Sequence, residues 1–126
     1  MNDLNSRVGA TMETAIILTS NLQEMADFYG QGLELGEAVP TGPDHLGFAM
    51  QNAYLGFDRV DDPPAASGVL SLWFRVDDLE GTFERFKDLG AGVKYGPTTK
   101  PWGDTLATMY DLDGNLFGLA LRKAEE

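Results

Sequence analysis

The feature that most constrains this chain is a pattern that it contains twice. Leu22 follows an apolar, strand-like segment and a polar cap, and Tyr29 comes seven positions later. Leu79 and Phe86 repeat this arrangement about 57 residues further along the chain. An internal repeat usually means that one supersecondary unit occurs twice and packs against its own copy. The chain is therefore predicted to consist of two similar modules.

Each copy has the pattern of a β-α-β-β-β unit. For the first copy we predict a strand over 14–19, a helix from Leu22 to Tyr29, a weak strand over 35–39, and a hairpin of 45–50 with 53–58 around Gln51-Asn52. Ser20 or Asn21 can cap this helix, with Glu24 completing a capping box. Gly30 and Gly32 are expected to stop it.

The second copy follows the same order after a linker rich in proline and small residues. We predict a strand over 70–76, a helix capped by Asp77 or Asp78 and ended near residue 89 by Gly90 and Gly92, a strand over 93–95, a loop over 97–103, and a hairpin of 105–110 with 116–121 through Asp113-Gly114. The predicted fold class is α+β, with two tandem βαβββ modules that form curled mixed sheet around a cleft and helices on its outer face. One domain is expected over 1–126, with module one at about 13–60, the linker at 61–68, module two at about 69–122, and a flexible tail at 1–11.

Composition excludes several functional classes. No apolar run approaches the roughly 18 residues that span a bilayer, and the polar start has no signal layout, so a soluble, cytoplasmic protein is expected. The absence of cysteine excludes disulfides and thiolate catalysis. The net charge of −11, without a basic cluster, argues against nucleic-acid binding. The acidity suits a cationic ligand, but because the acidic residues are scattered, solubility or an acidic proteome explains it better.

Four motifs stand out along the chain: Ser20-Asn21-Leu22 with Phe28-Tyr29, the segment 74–79, Pro101-Trp102-Gly103, and Asp111-Leu112-Asp113-Gly114-Asn115. With these motifs, the chain resembles the glyoxalase/bleomycin-resistance/dioxygenase superfamily, the vicinal oxygen chelate fold, from Glu13 to Leu121. Leu112 stands where the family usually has proline.

The resemblance implies positions for a divalent metal, but their residues are unsuitable. The ligand positions of the family's metalloenzymes fall on Thr14, on Ser71, on Gly118, and on Leu55 or Gly56. These residues offer none of the nitrogen or carboxylate ligands that such a site needs. His45, the sole histidine, lies where the family has no ligand and is expected at the hairpin edge, and Asp58 nearby is a single carboxylate. We therefore predict no metal, no cofactor and no catalytic residue.

Strand alternation identifies the residues that should line the cleft. Leu72, Phe74 and Val76 are expected under the second helix, so that Ser71, Trp73 and Arg75 face the cleft. The cleft-facing residues of the first and last strands are then Thr14, Ile16, Leu18, Leu116, Gly118 and Ala120. The predicted ligand-binding residues are Trp73, Trp102, Arg75, Ser71, Phe48 and Tyr110. Alternatives stay open: packing in the core or at a dimer interface for Trp73, core packing for Phe48 and Tyr110, and a salt bridge for Arg75.

The leading hypothesis is a metal-independent protein that sequesters an aromatic or cationic small molecule, similar to the bleomycin-resistance branch of the family. Two alternatives remain: an enzyme of the same fold, such as a lyase, isomerase or dioxygenase-like protein with a non-standard site, and a noncatalytic structural domain. Members of the family usually dimerise, so the resemblance also implies a homodimer.

Overall fold

The computed structural model describes residues 9–123, so most of the predicted tail at 1–11 lies outside the described residues. The elements are β1 (Thr14–Thr19), α1 (Leu22–Gly32), β2 (Val39–Pro40), β3 (His45–Ala49), β4 (Tyr54–Arg59), β5 (Leu72–Val76), α2 (Leu79–Asp88), β6 (Gly92–Thr99), β7 (Thr105–Tyr110) and β8 (Leu116–Leu121). The strands form two four-stranded mixed sheets, in the orders β1-β4-β3-β2 and β5-β8-β7-β6. The predicted α+β class with two βαβββ units is confirmed.

The repeat is confirmed as a repeat of structure. Leu22 and Leu79, each the first residue of a helix, are both 3% exposed, and Tyr29 and Phe86 are buried at equivalent positions. Aromatic side chains of the two modules meet in one core, where the rings of Phe28 and Phe86 are 5.0 Å apart. In each sheet, the first strand pairs in parallel with the last strand of its module, β1 with β4 and β5 with β8.

One of the two glycines expected to end the first helix lies inside it. Helix α1 continues through Gly30 and ends at Gly32, and both glycines allow close packing against an aromatic ring. A β-carbon at Gly30 would lie 2.7 Å from the ring of Phe48, and one at Gly32 would lie 2.1 Å from the ring of Phe86. In the second module the prediction is correct for Gly90, which follows α2 with a φ of +105°.

The two helices also begin differently. The Asp78 carboxylate accepts a hydrogen bond of 3.0 Å from the Gly81 backbone N–H, as expected of a cap. Asn21 makes no such bond, and the predicted capping box is wrong. Its side-chain amide instead donates to Asp113, at 3.3 Å.

Strands β3 and β4 differ from their predicted bounds by one residue, and three other strands differ by more. The second strand is confined to Val39–Pro40 because Glu34 and Gly36 adopt positive φ, which interrupts an extended chain over 35–39. Strand β5 begins at Leu72 rather than at residue 70. Strand β6 reaches Thr99 and includes Pro97, which is tolerated because β6 is an edge strand with register shifts on both sides of Tyr95.

The motif after β7 joins the two modules. Asp111, 5% exposed, accepts hydrogen bonds from the Tyr29 hydroxyl at 2.7 Å and from the backbone N–H groups of Asp113 and Asn115 at 2.9 Å each. The Asp113 carboxylate accepts a 2.6 Å hydrogen bond from Thr19, at the end of β1. The motif therefore holds the β7–β8 turn against the first module.

The candidate ligand cleft

A cavity of about 870 Å³ lies along the edge strands of the two sheets. Its walls come from β1 and β5, from the segment just after α1, and from the turn between β3 and β4. The polar and aromatic side chains that line it include Tyr54, Ser71, Trp73, Arg75 and Arg122. The wall combines apolar and polar side chains, and the size of the cavity is typical of small-molecule sites.

The indole of Trp73 dominates one wall. A β-carbon at Gly118 would lie 2.2 Å from the ring, so the indole occupies the place of the missing side chain. The Trp73 Nε1–H donates a 3.0 Å hydrogen bond to the Ser71 hydroxyl, which fixes the orientation of the ring. Because 45% of Trp73 stays exposed, the indole is accessible to a ligand.

Strand alternation in β5 agrees with the prediction. Phe74 is buried against the core, and Trp73 and Arg75 lie on the opposite face. On the corresponding face of β1, Ile16 and Leu18 are 43% and 45% exposed, so apolar side chains of the first sheet are also accessible there.

Arg75 lies in a network of polar contacts at the rim. Its guanidinium donates a 3.2 Å hydrogen bond to the Leu121 carbonyl oxygen. A hydrogen bond from Lys123 lowers the pKa of the Asp104 carboxyl, burial opposes this shift, and the charge of Arg75 adds to the lowering. The neighbouring Arg122 contacts Asp77 at 2.7 Å. Both guanidinium groups of the cavity therefore interact with an acidic side chain.

The other predicted ligand-binding residues lie outside this cavity. Phe48 is 4% exposed and packs in the core against Gly30 and the ring of Phe57, which leaves it unable to contact a ligand without rearrangement. Tyr110 is 37% exposed at the end of β7. Trp102 is 65% exposed in the turn between β6 and β7.

The structure also assembles a group of three side chains, of which the sequence analysis named His45 and Asp58 but missed Tyr54. His45 Nδ1 lies 2.5 Å from the Asp58 carboxylate, and its Nε2 lies 2.7 Å from the hydroxyl oxygen of Tyr54. Asp58 and His45 are directly opposite each other in the β3–β4 hairpin. The predicted hairpin around Gln51-Asn52 already implied this pairing, so cross-strand register was the signal available.

The family's metal positions do not fit a divalent ion. Of the two alternatives in the fourth strand, Leu55 is 2% exposed in the core, so the equivalent position is Gly56. Gly56 and Gly118 carry no donor, and aromatic rings occupy the space where a side chain would extend, from His45 and Tyr54 at Gly56 and from Trp73 at Gly118. Within residues 9–123, no group of three or more His, Cys, Asp or Glu side chains is arranged to hold a metal ion.

None of the helices in the described part of the chain has the length and apolar character required to cross a membrane.

Comparison with known proteins identifies relatives of this fold. The sequence model of the Glyoxalase/Bleomycin resistance protein/Dioxygenase superfamily matches residues 10–119. A glyoxalase-related enzyme from Fulvimarina pelagi superposes with a TM-score of 0.76 at 19% identity, over 89% of this chain and 88% of that one. A glyoxalase/bleomycin resistance protein from Albidiferax ferrireducens superposes with a TM-score of 0.77 at 16% identity, over 89% and 98% of the respective chains. At these identities the structures show a common fold. No curated protein matches the chain.

Proposed function

The chain belongs to the glyoxalase/bleomycin resistance protein/dioxygenase superfamily, and on that premise we propose that it is a metal-independent cytoplasmic protein that sequesters a small aromatic or cationic molecule in its cleft. The observation that carries the proposal is the indole of Trp73, which occupies the space above Gly118 and faces a cavity of about 870 Å³. An accessible, oriented indole provides a stacking surface for a planar ligand.

The replacement of metal ligands by aromatic rings supports binding without metal chemistry. The metalloenzymes of the family use converging side chains to hold one ion, and here the equivalent positions are Thr14, Ser71, Gly56 and Gly118, which carry no imidazole or carboxylate. At Gly118 the indole of Trp73 occupies the space of the missing side chain. A cleft of this kind retains the shape that surrounds a small molecule and offers stacking in place of coordination.

Tryptophan fluorescence tests the proposal directly. The chain has two tryptophans, so Trp102→Phe leaves Trp73 as the only one. We expect planar cationic antibiotics or aromatic metabolites to quench this Trp73 signal in a saturable manner and to raise the melting temperature. A ligand at a hundredfold excess over its Kd stabilises the folded state by about 2.7 kcal/mol.

The matched control is Trp73→Phe, which leaves Trp102 as the reporter in the exposed turn. Quenching of both variants to the same extent would indicate unspecific contact rather than binding in the cleft. Stoichiometric Ni, Zn, Fe or Mn in the purified protein, or strong stabilisation by these ions, would contradict the metal-independent proposal.

A homodimer is part of the same proposal. In the described residues, β1 pairs only with β4, and β5 pairs only with β8. Both β1 and β5 therefore have one edge without a partner strand. Such edges readily pair with another chain. Ile16 and Leu18, exposed on the first sheet beside the β1 edge, provide apolar surface that a second copy would bury.

A further inference from the structure

Three side chains on the first sheet form a hydrogen-bonded chain that ends at the cleft. The Asp58 carboxylate contacts His45, and His45 contacts the hydroxyl of Tyr54, at 2.5 and 2.7 Å. The His45 side chain is 19% exposed. The imidazole and the phenol are stacked with an angle of 8° between their planes. Tyr54 lines the same cavity as Trp73.

Two glycines make this arrangement possible. A β-carbon at Gly47 would lie within 1.8 Å of the Tyr54 hydroxyl oxygen, and one at Gly56 would lie 2.7 Å from the imidazole of His45. These glycines are directly opposite each other in β3 and β4. The sheet therefore has no side chains at Gly47 and Gly56, where the rings of Tyr54 and His45 lie. Any larger residue at either position would displace these rings.

The hydrogen-bond chemistry determines what Tyr54 offers to a ligand. An ionised carboxylate can only accept, so the single proton of a neutral His45 is placed on Nδ1, facing Asp58. Nε2 then carries a lone pair and accepts the hydroxyl proton of Tyr54. With its own proton directed at His45, the Tyr54 oxygen is left as an acceptor. A ligand atom that binds it must be a donor.

Charge selects among the possible donors. The Asp58–His45–Tyr54 group carries one net negative charge in this protonation state, and the whole chain has a net charge of −11. The face of an indole attracts cations, and Trp73 provides one in the same cavity. A protonated amine satisfies both features, since it donates N–H groups and carries a positive charge. A phenol would satisfy only the first.

We propose that Tyr54, oriented by His45 and Asp58, is the polar anchor of the cleft and accepts a hydrogen bond from a protonated organic amine that lies against Trp73. This proposal rests on the proposed function, because it takes the cleft to be the ligand site. Tyr54 makes the direct contact, and His45 and Asp58 are positioning residues.

Two probes separate hydrogen bonding from charge. Benzylamine, protonated near neutral pH, carries N–H donors, and benzyltrimethylammonium carries the same charge without them. Affinities are measured by quenching of Trp73 in the Trp102→Phe protein. We expect benzylamine to bind about tenfold more tightly, as a charge-assisted hydrogen bond allows. Tyr54→Phe should remove this preference and leave the affinity for benzyltrimethylammonium nearly unchanged.

The control variant is Tyr110→Phe, which removes the hydroxyl of a tyrosine outside the cavity and should keep the preference. His45→Gln should reduce the preference for benzylamine without changing the melting temperature by more than a few degrees.

A second experiment, nitrogen NMR of His45, needs no ligand. Since His45 is the only histidine, its ¹⁵N signals are unambiguous, and we expect the Nδ1–H tautomer in the free protein.

The outcomes distinguish this proposal from the proposed function. If both ammonium probes bind equally well and Tyr54→Phe has no effect, the cleft is a binding site but Tyr54 is not its anchor. If neutral planar aromatics bind and neither ammonium compound does, the amine class is wrong. An Nε2–H tautomer, or an imidazole protonated on both nitrogens near neutral pH, would overturn the assigned role of His45. If no aromatic or amine binds, the proposed function fails together with this one.

Discussion

At the scale of single residues, Asp111 shows that the acidic motif between β7 and β8 has a structural role. Its carboxylate collects hydrogen bonds from Tyr29, Asp113 and Asn115, and the burial of Asp111 makes each donor important. A buried carboxylate that loses a donor is left with an unsatisfied charge. The aspartate therefore stabilises the turn and its contact with α1, and it needs no catalytic role.

The first prediction concerns Tyr29, the donor from the other module. Tyr29→Phe should lower the free energy of unfolding by about 1–3 kcal/mol near neutral pH, because Asp111 loses a buried hydrogen bond. Burial, together with the negative charge of Asp111, raises the pKa of the Tyr29 hydroxyl well above its usual value. The measurement is urea unfolding at a series of pH values.

The pH dependence has a definite sign. The unfolded tyrosine loses its proton near pH 10, while the folded one keeps it, so the wild-type protein should lose stability as pH rises above about 10. Tyr29→Phe lacks this titration, and the difference between the two proteins should shrink in that range. A constant difference up to about pH 11 would contradict the raised pKa. Tyr110→Phe, at an exposed position, is the control.

The second prediction concerns Gly118. Gly118→Ala should displace the indole of Trp73, because the added methyl group would lie 2.2 Å from the ring. In the Trp102→Phe background, the emission maximum of Trp73 should shift and the ligand affinity should change. Gly96→Ala is the matched control, since its β-carbon would meet the nearest atom, in Phe83, at an ordinary distance of 3.5 Å. Equal spectra for the two variants would contradict the placement of Trp73.

At the scale of elements, local signals predicted those segments whose bounds depend on local chemistry. Strand β1 and the β7–β8 hairpin have the predicted bounds, and Asp78 caps α2. The errors arose where distant contacts decide the local structure. Gly30 does not end α1, and the ring of Phe48 lies against it. Local sequence does not distinguish such glycines from helix-ending ones.

In the cleft, too, features set by one strand were predicted, and features set by contacts between strands were not. Alternation along β5 placed Trp73 and Arg75 on one face, because a single strand fixes that relation. The contact of Tyr54 with His45 was missed because it also requires the ring to lie across the bare positions at Gly47 and Gly56. Phe48, expected in the cleft wall, lies on the core side of its strand.

The third prediction compares the starts of the two helices. Asp78→Ala removes a side-chain cap from α2 and should lower the free energy of unfolding by about 0.5–2 kcal/mol. Asn21→Ala removes no cap from α1, and the hydrogen bond that it loses is exposed and 3.3 Å long, so its effect should be smaller. Chemical denaturation of both variants provides the test. Equal losses would contradict the difference between the two caps.

At the scale of the whole molecule, the two modules share one core but not one sheet. Phe28 of α1 contacts Phe86 of α2 at 5.0 Å and Phe117 of β8 at 5.9 Å, and Tyr29 adds the hydrogen bond to Asp111. The strands of the modules, in contrast, remain in separate sheets. Helices and turns therefore join the halves, and the edges of β1 and β5 stay available beside the cavity.

The last prediction follows from these edges. If a second copy binds beside β1, a charge introduced on its exposed apolar face should prevent association, because the charge would have to be buried without a partner. Leu18→Lys places such a charge at a residue that is 45% exposed. Val39→Lys places the same charge on β2, at the opposite edge of the same sheet, where Val39 is 65% exposed.

Sedimentation velocity over a range of protein concentrations decides between the two edges. We expect the wild type and Val39→Lys to sediment as dimers and Leu18→Lys as a monomer with unchanged circular dichroism. Because β1 also borders the cleft, the monomeric variant should lose ligand affinity if a second copy completes the site, and should keep it if one chain suffices. A wild type that is monomeric at every concentration would contradict the dimer and leave the cleft of a single chain as the whole binding site.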